Sequence, residues 1–467
     1  HRRERAMRQN ETERRDARDG GTEATGRRPW GGGAPEVRGR AVGLASVLLV
    51  AGTAGLAPVP APAQTVAVTG GTVHTVEGPT LEGATVLVRD GVVQAVGADV
   101  RIPADAERID AAGGVVTPGL IDASTRLGLV EVGAVGETRD YAMGGDPVTA
   151  AFDVRDGINP RSTLVEVNRL GGVTTVVTRP AGGLVSGQAA VIDLVGSSVG
   201  EMMVRPRAAM AAAYGGDDDG SRGEVSLRLR ELFDDARFWA ENRDAWQRGS
   251  SRPLSHSRLD LEALQPVLAG QMPLVVEVNR ASDIEAVLRL ADEYGLDLVV
   301  EGGAEAWIVA DALAEADVPV ILKPLTNLPA GFDRLGARFD NAALLREAGV
   351  RVVISTFDAH NVRNLPREAG NAVRFGMSWD DALRAVTLEP ARVLGIDDRY
   401  GSLAAGKVAN LVVWSGDPFE LSTRPDVVMI RGRVVPEDSR QRRLLERYRT
   451  LEGEMPPAYR GQGSGGG

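Results

Sequence analysis

Few side chains in this chain of 467 residues can do metal or nucleophilic chemistry, and their placement is informative. There is no cysteine, which excludes disulfides and thiolate zinc sites. The four histidines, His1, His74, His256 and His360, stand far apart in sequence and form no local cluster. His74 lies in an alternating β segment and His256 in the loop "GSSRPLSHSR". What remains is a set of polar residues inside or just after apolar runs. "DASTRLG" carries Ser124 and Arg126 at i and i+2, a spacing that points both side chains the same way on a strand. "VVEVNRASD" carries Glu277 and Asn279, "VVEGGAEAW" carries Glu301, and "ISTFDAHN" carries Asp358 and His360. Serine is a poor metal ligand unless ionised, and arginine is a fixed cation that repels a divalent ion. One imidazole cannot hold a catalytic metal alone. Asp358 has two readings, a pocket acid or a structural acid that caps the following helix or accepts backbone hydrogen bonds.

The elements that must position these residues follow from the pattern. From Thr65 to Asp110 short alternating β segments are separated by Gly and Asp-Gly turns, with Asp90-Gly91 marking a hairpin. After Gly114, short apolar runs such as "GVTTVVTR" and "PLVVEVNR" alternate with amphipathic helices. One of these is "SDIEAVLRLADEYG", capped by Ser282 before and Gly295 after. This order predicts an α/β fold, a (β/α)8 barrel of the TIM type. "SWDDALRAVTLEPARVLG" gives a helix capped by Ser378, and β texture then returns in "GSLAAGKVANLVVWSGDP" and "DVVMIRGRVV". The β segments at the two ends pair into a small composite β-sandwich. The expected organisation is a disordered or mis-annotated extension (1–40), a signal peptide (41–63), and the N-terminal segment of the sandwich (64–114). The barrel (115–396), the C-terminal segment of the sandwich (397–435) and a charged helix with a flexible tail (436–467) complete it.

Arg38 and Arg40 precede the apolar run Ala41–Ala57 and the small-residue signal Ala61-x-Ala63. The reading is an exported, periplasmic protein whose mature chain starts at Gln64 and whose true start lies near Val37. No stable membrane anchor is expected, because the run is short for a bilayer span. Net charge is −11, so no nucleic-acid footprint is present.

Several ordered motifs carry a family resemblance: "VTPGLIDA", "GVTTVV", "GGLVSGQAAVIDL", "LDLEALQPVLAGQMPLVVEVNRASDI", "EGGAEAW", "DAHNVRNLPREAG", "ALRAVTLEPARVLG" and "GSLAAGKVANLVVW". From Thr65 to Val435 the chain resembles the amidohydrolase superfamily, in particular its exported imidazolonepropionase-like branch. The resemblance implies hydrolysis of a C–N bond in a cyclic amide or dipeptide-like substrate. It also implies one or two divalent metals, typically zinc, at the C-terminal mouth of the barrel. The ligands implied are His-x-His at strand one, histidines after strands five and six, and an acid after strand eight. Here those positions hold Ser124 and Arg126, then Glu277 or Asn279, then Gly302, and Asp358 as the tentative catalytic acid with His360 beside it. The expectation is therefore a metal-free, catalytically impaired member, a pseudoenzyme with no predicted cofactor. It would bind a small molecule in the retained pocket, form a homo-oligomer, or pair with an active amidohydrolase homologue. The alternative is an active hydrolase with a carboxylate-only magnesium or calcium site from Glu277, Glu301 and Asp358; a third reading is a non-enzymatic scaffold. Charge balance adds a specific expectation: the Arg126 guanidinium replaces the ion as partner to Asp358 or Glu277.

Overall fold

The structure, a computed structural model, describes residues 65–215, 220–326 and 328–449. The expected extension, signal peptide and final flexible tail lie outside the described residues. Among the described residues no helix is long and apolar enough to cross a membrane. Strands β1 (Thr65–His74), β2 (Thr80–Arg89), β3 (Val92–Gly97), β4 (Glu107–Asp110) and β5 (Val115–Pro118) precede the barrel. They share one eight-stranded sheet with β14 (Leu411–Trp414), β15 (Pro425–Ile430) and β16 (Arg433–Val434) from the far end. The path runs β16-β15-β14-β5-β1-β2-β3, with β4 beside β1. The two ends meet where Leu411 pairs with Pro118 and Val413 with Val116, antiparallel. β5, expected from sequence in the barrel, thus belongs to the sandwich. Alternation decides which side chains go inward: Val66, Val68, Val86, Val88, Leu411 and Val413 share one core. Asp90 and Gly91 turn β2 into β3 with φ of 52° and 80°, the left-handed pair that a two-residue hairpin needs.

The barrel strands are β6 (Leu120–Thr125), β7 (Val173–Thr178), β8 (Val185–Asp193), β9 (Met203–Ala213), β10 (Leu274–Val278), β11 (Leu298–Gly302), β12 (Val320–Leu322) and β13 (Val352–Ile354). They form a second eight-stranded sheet in chain order, nearly closed on itself. One strand departs from the all-parallel expectation: β8 pairs antiparallel with both β7 and β9. Only Arg179–Leu184 separates β7 from β8, too short for the crossover that parallel neighbours require. The other neighbours are parallel, so their C-terminal ends share one mouth. The helix Ala281–Tyr294 buries Ile284, Val287, Leu290 and Ala291 and stops at Gly295 with φ 68°. Ser282 is not its cap but lies inside it. The Ala281 N–H instead donates to the Glu305 carboxylate at 3.0 Å, so a residue distant in sequence caps the helix. Ser378 does cap its helix, accepting from the Asp381 N–H at 3.0 Å.

Asp122 closes the seam between β6 and the end of β13. Its fully buried carboxylate accepts from the Ser355 and Thr356 hydroxyls, both at 2.5 Å, and from the Thr356 N–H at 3.2 Å. Burial pushes its pKa up to about 6, against the pull of those donors. At the opposite end of the barrel, buried Asp193 accepts from Thr175 (2.7 Å), Asn410 (3.1 Å), Tyr400 (3.1 Å) and Arg431 (2.5 Å). That network ties the barrel to the sandwich; within the sandwich, the Trp414 indole N–H of β14 donates to Thr117 of β5 at 2.9 Å.

Candidate functional site at the barrel mouth

The last residues of the parallel strands and the first residues after them line a cavity of about 270 Å³. Ser124 and Arg126 come from β6 and its end, Arg179 follows β7, and Glu277 and Asn279 come from β10 and its end. Glu301 and Gly302 end β11, Lys323 follows β12, and Phe357 follows β13. A parallel barrel places such residues together because every strand delivers its C-terminal end to the same face.

The centre of the site is Arg179. Its Nε donates to Ser124 Oγ at 2.9 Å and its Nη1 to the Pro180 carbonyl at 3.3 Å. Its Nη2 reaches Glu277 Oε2 at 3.3 Å and makes a short ion pair with Glu301. The Arg179 side chain is 9% exposed, that of Glu301 3% and that of Glu277 44%. Burial raises the Glu301 pKa; the Arg179 charge opposes that rise, and the Glu277 charge adds to it. The second Glu301 oxygen, Oε2, is buried and has no hydrogen-bond partner.

Six of the residues singled out from sequence, Ser124, Arg126, Glu277, Asn279, Glu301 and Gly302, come together in this cavity. The expected pairing of Arg126 does not occur. Among the described residues it makes no ion pair with Asp358 or Glu277; its guanidinium lies 4.7 Å from the centre of the Tyr141 ring, a cation–π contact. Arg179, one strand over and further buried, has taken the partnership with the carboxylates.

Asp358 and His360 do not line the cavity. The Asp358 carboxylate accepts from the backbone N–H groups of Ala359 (2.6 Å) and His360 (2.9 Å) and from Asn361 Nδ2 (3.3 Å). Burial would raise its pKa, but these donors hold it below the ordinary value. Asp358 caps no helix, since the next helical turns start at Asn361 and Asn364 without a side-chain cap. It accepts backbone hydrogen bonds of its own loop, and the catalytic role expected of it has no geometric support. His360 Nε2 lies 3.1 Å from the Glu131 carbonyl. The cause is Phe357: its φ of 50° turns the chain so that the phenyl ring lines the cavity and Asp358 faces its own loop.

This donor set does not fit a catalytic divalent metal. A guanidinium stands between the carboxylates, Ser124 accepts from that guanidinium, and Gly302 offers no ligand. Among the described residues no group of three or more His, Asp or Glu side chains is arranged to hold an ion. The carboxylate-only site from Glu277, Glu301 and Asp358 is not assembled, because Asp358 points elsewhere. Position 302 also resists a side chain: φ is 90°, and a Cβ there would sit 2.7 Å from Asn279 Oδ1.

Sequence reading missed Arg179, Lys323, Arg334 and Phe357 in the cavity. A signal for two of them existed: Arg179 and Lys323 each end a buried apolar run, "TTVVTR" and "VILK", where a barrel strand delivers its functional residue. Comparison with known proteins agrees with the architecture. The amidohydrolase family model matches residues 303–435. A solved amidohydrolase from Thermotoga maritima is 30% identical with a TM-score of 0.73, covering 79% of this chain and 99% of that one. The imidazolonepropionase of Klebsiella pneumoniae is 26% identical over 399 residues, covering 76% of this chain and 92% of that protein. The amidohydrolase tasK of Hapsidospora irregularis is 24% identical over 394 residues, and the match spans only 40% of its length.

Proposed function

Because this chain belongs to the amidohydrolase family, we propose that it keeps the family's barrel mouth as a binding site and has lost metal-dependent hydrolysis. The supporting observation is Arg179, whose guanidinium occupies the middle of the site and satisfies Ser124, Glu277 and Glu301 together. A divalent ion activates water by lowering its pKa to near neutrality. A guanidinium stays protonated, offers water only hydrogen bonds and has no open coordination position. The carboxylates that could act as general bases are engaged by the same cation. The site therefore holds a ligand without the means to generate hydroxide.

The proposal includes export through the N-terminal segment and, as a second role, pairing with an active homologue of the same fold. The test is metal analysis of the purified full-length chain after incubation with zinc and buffer exchange, together with hydrolysis assays on cyclic amides and dipeptides. The expected result is far less than one metal per chain and no turnover above background. Stoichiometric zinc with turnover that is lost on chelation overturns the proposal.

A further inference from the structure

The cavity has an excess of positive charge, although the protein as a whole is acidic. Four cations line it, Arg126, Arg179, Lys323 and Arg334, against two carboxylates, Glu277 and Glu301. Both carboxylates are already engaged by Arg179. Arg126 and Arg334 have no carboxylate within ion-pair distance among the described residues, and both are half-buried. The nearest carboxylate to Lys323 Nζ is Glu368, 4.0 Å away. Arg126 is also preset for binding. The cation–π contact with Tyr141 holds the guanidinium, whose N–H groups make no hydrogen bond among the described residues and can form a forked pair with a carboxylate. An anion bound among these cations gains charge-assisted hydrogen bonds in a partly desolvated cavity.

We infer that the cavity binds a small organic dianion, a dicarboxylate, with one carboxylate on Arg126 and the other within reach of Lys323 and Arg334. The cavity of about 270 Å³ has room for a short-chain dicarboxylate, and it shares Arg126, Glu277, Asn279 and Arg334 with a neighbouring cleft of about 540 Å³. The protein's overall negative charge gives no long-range attraction, so recognition is local and short-ranged. The inference rests on the reading that Arg179, and not a metal, occupies the centre of the mouth.

The test is calorimetric titration of the full-length protein, after EDTA treatment and dialysis, with four probes: succinate, glutarate, the neutral isostere succinamide, and 1,4-diaminobutane. Succinate or glutarate should bind at least tenfold more tightly than succinamide, and 1,4-diaminobutane should not bind. Arg126→Gln should weaken dicarboxylate binding tenfold or more, consistent with loss of a charge-assisted fork. Because Arg126 makes no ion pair among the described residues and loses only its contact with Tyr141, thermal unfolding of the variant should shift little. Arg334→Gln, at the end of the short turn Phe332–Arg334, provides an independent second arm, with an expected loss of severalfold. Equal binding of succinamide, preference for the diamine, or no dicarboxylate binding at millimolar concentration overturns the assignment. A parallel titration of zinc-soaked protein separates the two levels. Dicarboxylate binding only in the presence of stoichiometric zinc defeats the metal-free reading itself, whereas silence from metal-free protein that takes up no zinc defeats only the ligand class.

Discussion

Replacing Arg179 by methionine isolates the electrostatics of the site. The substitution keeps an unbranched apolar stem and removes the only cation paired with Glu301 among the described residues. The Glu301 side chain is 3% exposed and its Oε2 already lacks a partner. Without Arg179 it becomes an uncompensated buried charge, a situation that typically costs about 3–5 kcal/mol. The Glu277 contact adds little, since that side chain is 44% exposed. Arg179→Met should therefore lower the unfolding free energy in urea by about 3–5 kcal/mol at pH 8, with the m-value unchanged. Replacing both partners, Arg179→Met with Glu301→Met, removes the orphaned charge and should recover most of the loss. The sign with pH follows from the raised pKa of Glu301, which rises further once Arg179 is gone. Between the unfolded and folded pKa values the native state holds the extra proton, so stability falls as pH rises through that window. The deficit of the single variant should therefore shrink toward pH 5. A loss under about 1 kcal/mol at pH 8, or a double variant no better than the single one, would refute the claim that Arg179 is the compensating charge.

Two further outcomes follow from the same region, beside the metal and dicarboxylate tests. Gly302→Ala should destabilise the protein by about 1–3 kcal/mol in urea unfolding, because φ is 90° and the new Cβ meets Asn279. Re-creating a histidine at position 302 should incur at least the same penalty. Burial pushes the Glu368 pKa up to about 7, opposed by the Leu325 N–H and Lys323, from an ordinary value of 4.5. Native protein holds this proton where the unfolded chain has released it, so the stability contribution declines by roughly 3 kcal/mol as pH rises from about 4.5 to 7. Glu368→Gln should flatten that segment of the stability–pH profile; an unchanged profile would contradict the assignment.

Much of the fold was legible because it rests on local periodicity. Alternating valines marked the sandwich strands, apolar runs marked β7 and β10, and the Asp90-Gly91 turn and the Ser378 cap were readable from a few residues each. Where a neighbour distant in sequence supplied the partner, the local signal misled. Ser282 has the right chemistry for a cap, yet Glu305 from another loop satisfies the helix start. The short Arg179–Leu184 connection was visible, but its consequence, an antiparallel β8, emerges only when strand lengths and pairings are considered together.

The candidate site divides in the same way. Residue order alone showed that the positions Ser124, Arg126, Asn279 and Gly302 carry no imidazole, and that they end strands opening on one face. Which cation holds the carboxylates depended on depth and direction. Arg126 leaves the barrel wall to lie on Tyr141, whereas Arg179, from the next strand, points inward to Ser124, Glu277 and Glu301. Likewise, a left-handed φ at Phe357 sent Asp358 out of the pocket. Spacing along a strand gives the side of the sheet on which a residue emerges. The pairing of charges is set by three-dimensional distance and by the cost of leaving a buried carboxylate alone, and only the folded barrel brings those terms together.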